Sequence, residues 1–475
     1  MESQNPSLTP ISLRLEMQKF LQLAIPLASA QLAQSLTSFC DTLMMGRLRT
    51  ETLAAGGLAA LSFSALLFTA GGVVMAVTPA ISEAYGAGNK NRIANIARQG
   101  FWLVLFLAIP AIFAIARLDF WMLNFGQPEV TVTLANIYLD IILWGLFPAL
   151  GFMMLRGVVS GLSYARPIMF IVVIGTMFNI CGNYVLAFGK YGFPRLELAG
   201  LAIATVITHW GMFFALIIYM LQNSAIAQYN FFQKLYVLKL KLIWELIKIG
   251  LPIAIYSALE IGLFTVVTYL MGALSTDILA AHQIVLQTIA LIFMIPLGMS
   301  FAATIRVGRW LGEKNIDGVK KAGYLSISAG FVFMSVMAIA LLLFPQAAIA
   351  LYLDINDPAN AKVIALAKPM LTIGAFSLLL DGVQKIAYGA LQGLQDTRIP
   401  MLLSIPAFWI VGLPLGYYLG FHAGFDGAGL WLGQSIGVAI AGIVFAVRFY
   451  YLTKVLEKNL LPAKFNSKKA TSSHY

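Results

Sequence analysis

Residues 247–271 read IKIGLPIAIYSALEIGLFTVVTYLM. As a helix, this apolar run is long enough to cross the hydrocarbon core of a bilayer, because an α-helix rises about 1.5 Å per residue. The run carries one carboxylate, Glu260, near its middle. A charge at that depth is costly, so Glu260 is expected to be protonated, paired or facing a water-filled cavity. The stretch therefore predicts a membrane helix that carries a functional acid.

Two further apolar stretches hold an acid at a similar depth. Asp41 lies in LAQSLTSFCDTLMMG, and Asp381 lies in LTIGAFSLLLDGVQKIAYGAL. The second stretch also contains a base, Lys385, one helical turn after Asp381. Most of the remaining sequence is interpreted as the scaffold that positions these three acids.

The composition excludes a soluble globular protein. Of the 475 residues, 60% are hydrophobic and 11% are charged, whereas about 25% charged is usual in soluble domains. Spans of about 20 residues joined by short loops account for nearly the whole length. The sequence predicts an all-α polytopic membrane protein with twelve transmembrane helices, near residues 18–44, 53–81, 100–118, 131–155, 167–189, 199–222, 246–271, 279–305, 321–345, 365–391, 399–420 and 427–451.

The formal charge of +11 is distributed in a way that indicates a membrane protein and no nucleic-acid partner. If the chain crosses twelve times, most Lys and Arg residues fall on the side of the N-terminus, with Arg156 counted among them. This is the positive-inside bias. It predicts a multi-pass protein of the bacterial cytoplasmic (inner) membrane with both termini in the cytoplasm, in contact with membrane lipids. Cys40 and Cys181 lie inside apolar runs, so neither a disulfide nor a zinc cluster is expected.

The two halves of the chain share a repeated pattern. Spread over six spans, the matches favour an internal duplication over a chance agreement of common residues. Because six is an even number, both copies enter from the same side, which predicts two six-helix lobes with pseudo-two-fold symmetry and a central cavity. The matches are Pro26 with Pro252, Met45-Gly46 with Met271-Gly272, residues 53–55 with 279–281, Gly86 with Gly312, Asn89 with Asn315, Gly157 with Gly389, and Arg166 with Arg398.

This repeat gives the predicted organisation of the chain. It divides into an N-terminal tail (1–17), an N-lobe (18–222), an inter-lobe linker (223–245), a C-lobe (246–452) and a basic C-terminal tail (453–475). The tails and the linker are expected in the cytoplasm.

Glu260 and Asp381 fall in the same predicted lobe. Two nearby carboxylates in a low dielectric either bind a hard cation or share a proton, and either event gives a coupling site. The alternative is a purely structural pairing of each acid with a base, such as Asp381 with Lys385 at i, i+4. Because the Lys385 ammonium would take the place of Na⁺, we hypothesise H⁺ coupling.

The N-lobe does not repeat this chemistry. Gln34 holds the position equivalent to Glu260, and Val267 holds the position equivalent to Asp41. Asp41 is interpreted as a cation-binding acid in a wet cavity, the alternative being a hydrogen-bonded acid near the outer face, not far from Arg49. Asn179 and Asn183 either complete the hydrogen bonds of Asp41, line the substrate path, or make plain helix–helix contacts.

His282 and Gln283 begin the eighth predicted span. A histidine suits proton traffic near neutral pH, but a helix-packing histidine is favoured for His282. The histidines occur singly and the sequence has no Walker-type phosphate loop, so neither an enzyme nor an ATP-driven pump is expected.

Several motifs, taken in order, resemble the multidrug and toxic compound extrusion (MATE) family, and specifically its bacterial NorM-type branch. The resemblance covers nearly the whole chain. It is carried by Asp41-Thr42 with Met45-Gly46, Pro252 with Glu260, AAHQ at 280–283, TIRVGRWLGE at 304–313, and Asp381-x-x-Gln384 followed by GALQGLQDTRIP.

The resemblance implies a fold of two six-helix lobes in a V, and an antiporter that exchanges Na⁺ or H⁺ for bulky cationic amphipathic compounds. It matches the coupling acids to Glu260 and Asp381, which would also ligate the metal ion if the protein is Na⁺-coupled, and an N-lobe cluster to Asp41, Asn179, Asn183 and Thr205. It implies no cofactor besides the coupling ion. We expect a monomer that takes small organic cations.

A flippase for lipid-linked precursors, from the same superfamily, remains the alternative. Anionic lipid phosphates would require Arg and Lys in the cavity. The predicted membrane-buried charges are instead three acids and one Lys, so we favour cations as substrates.

Overall fold

A computed structural model describes residues 12–48, 50–124 and 126–470. Most of the predicted N-terminal tail, Arg49 and the last five residues of the predicted C-terminal tail lie outside the described residues. The described chain is helical, and its main helices are named α1–α12 here. Their bounds are α1 (Leu13–Leu48), α2 (Thr50–Val74, then Val77–Gly86), α3 (Lys90–Ile115), α4 (Glu129–Ile142, then Leu146–Gly161), α5 (Arg166–Phe188), α6 (Glu197–Gln222), α7 (Leu240–Leu274), α8 (Thr276–Gly312), α9 (Ile316–Leu343), α10 (Ala361–Gly393), α11 (Arg398–Ile405 and Leu413–Phe421, joined by a π-helix, Pro406–Gly412) and α12 (Asp426–Ala470).

Each predicted span coincides with one of these helices, although the helices extend further. α1 begins at Leu13 and α7 at Leu240, so residues predicted as tail and linker are helical. α12 likewise continues to Ala470, well into the predicted tail, where Leu, Lys and Glu are good helix formers.

Within the described residues, 11 helical segments are long and apolar enough to cross a membrane. α1 is not among them, although its 36 residues would extend about 54 Å at about 1.5 Å per residue. Its second half carries Gln31, Gln34 and Asp41 among its apolar residues. α1 packs along α8 and α5, so it serves as the twelfth membrane helix, with a polar face.

The predicted duplication is visible in the backbone. The Asn89 side chain accepts a hydrogen bond from the backbone N–H of Arg92 at 2.9 Å and caps α3, and Asn315 accepts one from Gly318 at 3.0 Å and caps α9. Such caps satisfy a helix N–H that otherwise has no partner. The residues before them, Gly88 and Lys314, both have positive φ, +65° and +56°. Equivalent sequence positions therefore build equivalent turns.

The helices form two lobes, as predicted. α1–α6 pack mainly on one another, as do α7–α12. Between the lobes α2 packs on α8, and the principal contacts on either side of this pair are α1 with α8 and α2 with α7. These two contacts are equivalent under the repeat, which pairs α1 with α7 and α2 with α8. The two-lobe, twelve-helix fold is therefore an all-α arrangement with pseudo-two-fold symmetry.

Glycines let the lobes approach closely. A methyl group added to Gly72 would lie 2.6 Å from the Cα of Ala254, and one added to Gly298 would collide with the backbone of Ala28. Gly72 and Gly298, like Ala28 and Ala254, are equivalent positions of the repeat. Backbones can meet this closely only where no side chain intervenes.

Among the described residues, the close backbone contacts between the lobes lie towards one end of the bundle. Residues 223–239 lie at this end and pack on α3, where Gln99 donates to the Val237 carbonyl at 2.9 Å and Trp102 donates to the Leu235 carbonyl at 2.8 Å. We call it the linker end. The α1 residues 31–44 beyond the contact contain no buried position. The two lobes thus enclose a V-shaped cleft that opens at the far end.

Candidate functional site

The first polar cluster of the C-lobe joins α7 to α10. On α10, Asp381, Gln384 and Lys385 lie at i, i+3 and i+4, which places them on one helix face. On α7, Tyr256 and Glu260 are spaced by four residues and share a face in the same way. The packing of the two faces brings both predicted coupling acids into one cluster, which we call the C-lobe site.

Glu260 is at the centre of the C-lobe site. Lys385 Nζ lies 2.5 Å from Glu260 Oε2, while the Tyr256 hydroxyl and Gln384 Nε2 donate to Oε1 at 3.2 and 3.4 Å. Gln384 also donates to the Tyr256 hydroxyl. The exposed fractions of the Lys385 and Glu260 side chains are 11% and 15%. The charge pair is therefore largely removed from solvent, where Coulomb attraction is strong.

Asp381 is buried beside this pair and accepts a hydrogen bond from Ser377 Oγ at 3.0 Å. The structure contradicts the alternative in which Lys385 pairs with Asp381 along α10. Lys385 instead reaches across to Glu260, and its ammonium lies 5.4 Å from the Tyr256 ring centre and 5.5 Å from that of Phe293. The faces of these two rings attract the Lys385 ammonium, in addition to its attraction to the Glu260 carboxylate.

The second cluster, the N-lobe site, is a chain of hydrogen bonds across α1, α5 and α6. Asn183 Nδ2 donates to Asp41 Oδ1 at 2.5 Å and to Asn179 Oδ1 at 2.9 Å. Asn179 Nδ2 donates to Thr205 Oγ1 at 3.2 Å, and Thr205 in turn donates to the Leu201 carbonyl at 3.0 Å. Both asparagines are fully buried. The structure therefore brings together the four residues that the resemblance matched to the N-lobe cluster, and no ion pair among the described residues includes Asp41.

Each site contains an acceptor oxygen with no hydrogen-bond donor among the described residues. In the N-lobe site it is Asn183 Oδ1, and in the C-lobe site it is Gln384 Oε1. Buried polar atoms are normally paired. An acceptor oxygen of this kind can accept a hydrogen bond from a protonated ligand or coordinate a cation. The described residues contain no group of three or more His, Cys, Asp or Glu side chains that could hold a metal ion.

Three other predicted residues lie outside both sites. His282 is fully buried in C-lobe packing, with Nε2 2.9 Å from Thr268 Oγ1 and its ring 5.6 Å from that of Trp431. The neighbouring Gln283 is exposed. Gln34 is half-buried on α1, two turns before Asp41, where its carbonyl accepts a hydrogen bond from Ser38.

Sequence reasoning missed an ion pair that closes the linker end. Arg306 of α8 donates to both carboxylate oxygens of Glu16 in α1, at 2.7 and 2.5 Å, and Trp310 Nε1 donates to the same carboxylate at 3.2 Å. The exposed fractions are 1% for Glu16 and 2% for Arg306. Glu16 was predicted to lie in the tail. Two signals were present in the sequence, namely Glu16 in the first turn of α1 and Arg306 within TIRVGRWLGE. Their contact could not be predicted, because the two residues are far apart in the sequence.

Arg156 is the second residue whose surroundings the sequence did not predict. It falls just outside the fourth predicted span, residues 131–155, but it lies inside α4, between the lobes. Its Nη1 donates to Gln31 Oε1 of α1 at 3.0 Å, and its guanidinium lies 5.0 Å from the centre of the Phe301 ring of α8. Counting charges along the sequence could not place Arg156 inside the helix, because Arg156 is only five residues before the C-terminal end of α4.

Comparisons with known proteins agree with this geometry. The MatE family model matches residues 26–185 and 252–418, so the two matched segments begin at the equivalent prolines Pro26 and Pro252. A "Probable multidrug resistance protein NorM" of Synechocystis sp. is 48% identical over 459 residues, which cover 96% of this chain and 99% of that protein. One of the same name from Synechococcus sp. is 50% identical over 443 residues, 93% of this chain and 96% of that protein.

A solved structure shares the fold. It is described as the "Outward-facing conformation of a multidrug resistance MATE family transporter of the MOP superfamily", and it aligns with a TM-score of 0.84 at 19% identity, over 95% of this chain and 99% of that one. The 11 candidate spans and the bacterial relatives identify a multi-pass bacterial membrane protein. The chain belongs to the multidrug and toxic compound extrusion family, in its bacterial NorM-type branch.

Proposed function

We propose that this protein is a secondary active antiporter that exports cationic amphipathic compounds in exchange for H⁺ or Na⁺, by alternating access between its two lobes. The relatives named as multidrug resistance proteins support the export of drugs. The observation that carries the proposal is the C-lobe site, where two acids and one base lie together on membrane helices. Ionisable groups at this depth are costly to keep without a function.

Lys385 favours H⁺ as the coupling ion. Its ammonium lies 2.5 Å from Glu260 and so holds the place that a hard cation would take between carboxylates. A proton that arrives on Glu260 would remove the charge that holds Lys385, and the ammonium would then be attracted to Asp381, one turn away. Protonation would thereby exchange one ion pair for another between α7 and α10. Na⁺ coupling stays open, with Glu260 and Asp381 as the ligands.

The helices of the C-lobe site also form the lobe junction. α7 carries Glu260 and, two turns earlier, Ala254 packed against Gly72. α8 carries Phe293 beside Lys385 and, further on, Arg306 in the ion pair with Glu16. A change of charge in the site can therefore bias the packing at the linker end. Coupling requires the ion and the substrate to prefer different lobe arrangements.

Substrate would enter the cleft between the lobes, with Asp41 and its hydrogen-bonded amides as the polar wall of the N-lobe. A cation is attracted by an acid that has no basic partner among the described residues. We place the linker end and both termini in the cytoplasm of a bacterial inner membrane, and the protein works as a monomer. In this proposal residues 18–222 and 246–452 are the two moving units.

A flippase for lipid-linked precursors is the second candidate. The observation in its favour is Arg156, which gives the junction a positive charge. Glu16 and Arg306 neutralise each other at the junction, and Asp41, Glu260 and Asp381 still outnumber Lys385 and Arg156, which favours a cationic substrate.

The test uses purified protein in liposomes loaded with a fluorescent organic cation. Dye efflux is followed under an imposed pH gradient or an imposed Na⁺ gradient, for the wild type and Asp381→Asn. We expect the pH gradient to drive efflux in the wild type and not in Asp381→Asn. If neither gradient moves the dye, the antiporter proposal fails, and lipid-linked substrates become the next probe.

A further inference from the structure

A groove runs between α1 of the N-lobe and α9 of the C-lobe, at the linker end. Its volume is about 780 Å³, within the range of about 300–1,000 Å³ that is usual for small-molecule sites. One wall is formed by Leu13, Arg14 and Met17 in the first turns of α1, and the other by side chains of α9 between residues 317 and 328. The two walls therefore belong to different lobes.

The inter-lobe linker occupies the equivalent place in the other half of the molecule. Under the repeat, α1 corresponds to α7 and α9 corresponds to α3. Three side chains of α3, Arg98, Gln99 and Trp102, donate hydrogen bonds at 2.8 to 2.9 Å to backbone carbonyls within residues 230–237. Gln99 also accepts one at 2.8 Å from the backbone N–H of Lys239, immediately before α7. Linker backbone thus lies between α3 and the start of α7.

The groove beside α9 lacks the side chains that hold the linker. By the spacing that pairs Asn89 with Asn315, the three donors of α3 correspond to Tyr324, Leu325 and Ser328, which line the groove. The guanidinium, the amide and the indole are therefore absent from these positions. A chain segment in this groove would lack the anchors that the linker has, so the repeat itself does not provide an occupant.

Basic residues distinguish this groove from its filled counterpart. Arg14, Lys320 and Lys321 line it, whereas the equivalent positions of the other half hold a leucine, an alanine and an asparagine. One acid, Asp317, also lines the groove, and Lys320 lies 2.6 Å from Glu457 of α12. The bases outnumber the acids even when Glu457 is counted. The groove therefore attracts a negatively charged ligand.

The charged and the apolar side chains lie at different depths. Arg14 is in the first turn of α1 and Lys321 is in the second turn of α9, near the linker end. Met17 and Leu325 follow about one turn further along the two helices, towards the membrane interior. The groove is thus basic at its end and apolar beyond it. Basic pockets between membrane helices near the membrane surface are typical sites for anionic lipid head groups.

We propose that this groove binds one anionic phospholipid, with its phosphate on Arg14 and Lys321 and an acyl chain along Met17 and Leu325. Arginine and lysine are the usual partners of phosphate oxygens. The lipid fills the space that the linker fills in the other half, and it joins α1 to α9 across the lobe junction. The site depends neither on the transported compound nor on the coupling ion.

Native mass spectrometry of the full-length protein, purified in detergent, counts the lipids that bind. Phosphatidylglycerol, which is anionic, and phosphatidylcholine, which is zwitterionic, are titrated with identical acyl chains. The double variant Arg14→Gln/Lys321→Gln is compared with the wild type and with the control Arg166→Gln/Lys241→Gln. Arg166 and Lys241 are exposed in the first turns of α5 and α7 and do not line the groove, so the control makes the same charge change elsewhere.

We expect the wild type to bind its first phosphatidylglycerol about tenfold or more tightly than phosphatidylcholine. Arg14→Gln/Lys321→Gln should lose about tenfold or more of the affinity for phosphatidylglycerol, because each basic residue near an anionic lipid contributes about fivefold. Its affinity for phosphatidylcholine, and both affinities of the control, should stay within about twofold of the wild type.

A further variant tests the shape of the groove at constant charge. Ser328→Trp copies the tryptophan that the filled half has at the equivalent position, and it narrows the space for the acyl chain. It should weaken the binding of phosphatidylglycerol about tenfold, as loss of a few buried methylene contacts predicts. Thermal unfolding of each variant without added lipid shows that it is folded.

The inference is overturned if the wild type binds the two lipids equally. If a variant without residues 2–11 then prefers phosphatidylglycerol, the N-terminal segment is the occupant of the groove instead. It is also overturned if the control loses as much affinity as Arg14→Gln/Lys321→Gln, because the attraction is then a property of the whole basic surface. Unchanged binding in Ser328→Trp would contradict the placement of the acyl chain.

Discussion

The two lobes share a fold and differ in chemistry. Their turns are capped by equivalent residues, Asn89 and Asn315. The polar site of the N-lobe is one acid bound to neutral amides, Asp41 with Asn183 and Asn179. The C-lobe site is instead an ion pair, Glu260 with Lys385, beside a second acid.

We propose that this difference reflects a division of roles between the lobes. In the proposed mechanism the symmetric helices at the junction would allow the lobes to rock, because each contact has an equivalent on the other side of the axis. An ion pair can respond to a proton by exchanging partners, whereas Asp41 is held by amides and has no competing base among the described residues. In this proposal the C-lobe couples the ion and the N-lobe contacts the substrate, and four sets of variants test the comparison.

The largest effect is expected from Glu260→Gln. Loss of the central carboxylate removes the partner of Lys385, and gradient-driven efflux should fall about 100-fold, equivalent to about 2.7 kcal/mol. Asp41→Asn keeps a hydrogen-bonding side chain and should raise the KM for a cationic dye about tenfold, with coupling retained. Efflux from liposomes under a pH gradient measures both. Equal loss of coupling in the two variants would contradict the division between the lobes.

The next effect concerns the symmetric junction. Gly72→Ala and Gly298→Ala each force a methyl group into the backbone of the opposite lobe, and each should destabilise the protein by about 1–3 kcal/mol, the usual cost of overpacking. Gly57→Ala is the matched control, because no atom lies within 4 Å of the added methyl group. Thermal unfolding in detergent, followed by scanning fluorimetry, gives the ranking. A much larger loss at only one of the two positions would show that the junction is functionally asymmetric.

Lys385→Met tests the identity of the coupling ion. Without the ammonium, Glu260 and Asp381 form a two-acid site that suits a hard cation. We expect H⁺-driven efflux to fall about tenfold and Na⁺ to stimulate the variant at fixed pH, but not the wild type. If Na⁺ stimulates both proteins equally, Lys385 does not select the proton.

The smallest effect is expected from Asn183→Asp, which makes the N-lobe site more like the C-lobe site. A second carboxylate would replace the amide that donates to Asp41 at 2.5 Å, so the pair must bind a proton or a cation. Substrate affinity should change only a few-fold, about 1 kcal/mol or less, while Na⁺ binding measured by calorimetry should appear in the variant. Gln283→Glu, at an exposed position outside both sites, is the control for added charge. An unchanged Na⁺ isotherm would exclude this N-lobe from cation binding.

Much of the fold follows from local sequence. The twelve helices are visible as apolar runs because backbone polar groups must be satisfied within each segment in lipid. The duplication is visible because Pro26 and Pro252, like Gly86 and Gly312, keep the same spacing. α1 was found in this way although its polar face leaves it outside the candidate spans.

The sequence by itself determined the membrane class, the two-lobe repeat and which acids lie at membrane depth, because hydrophobicity and spacing are properties of the chain alone. Only the tertiary structure decided how the charges pair. Lys385 has an acid one turn away on its own helix yet binds Glu260 on another. Arg306 closes the junction with Glu16, 290 residues earlier. Arg156 lies between the lobes with a neutral partner. Long side chains choose partners by distance in space, and that distance exists only after the helices have packed.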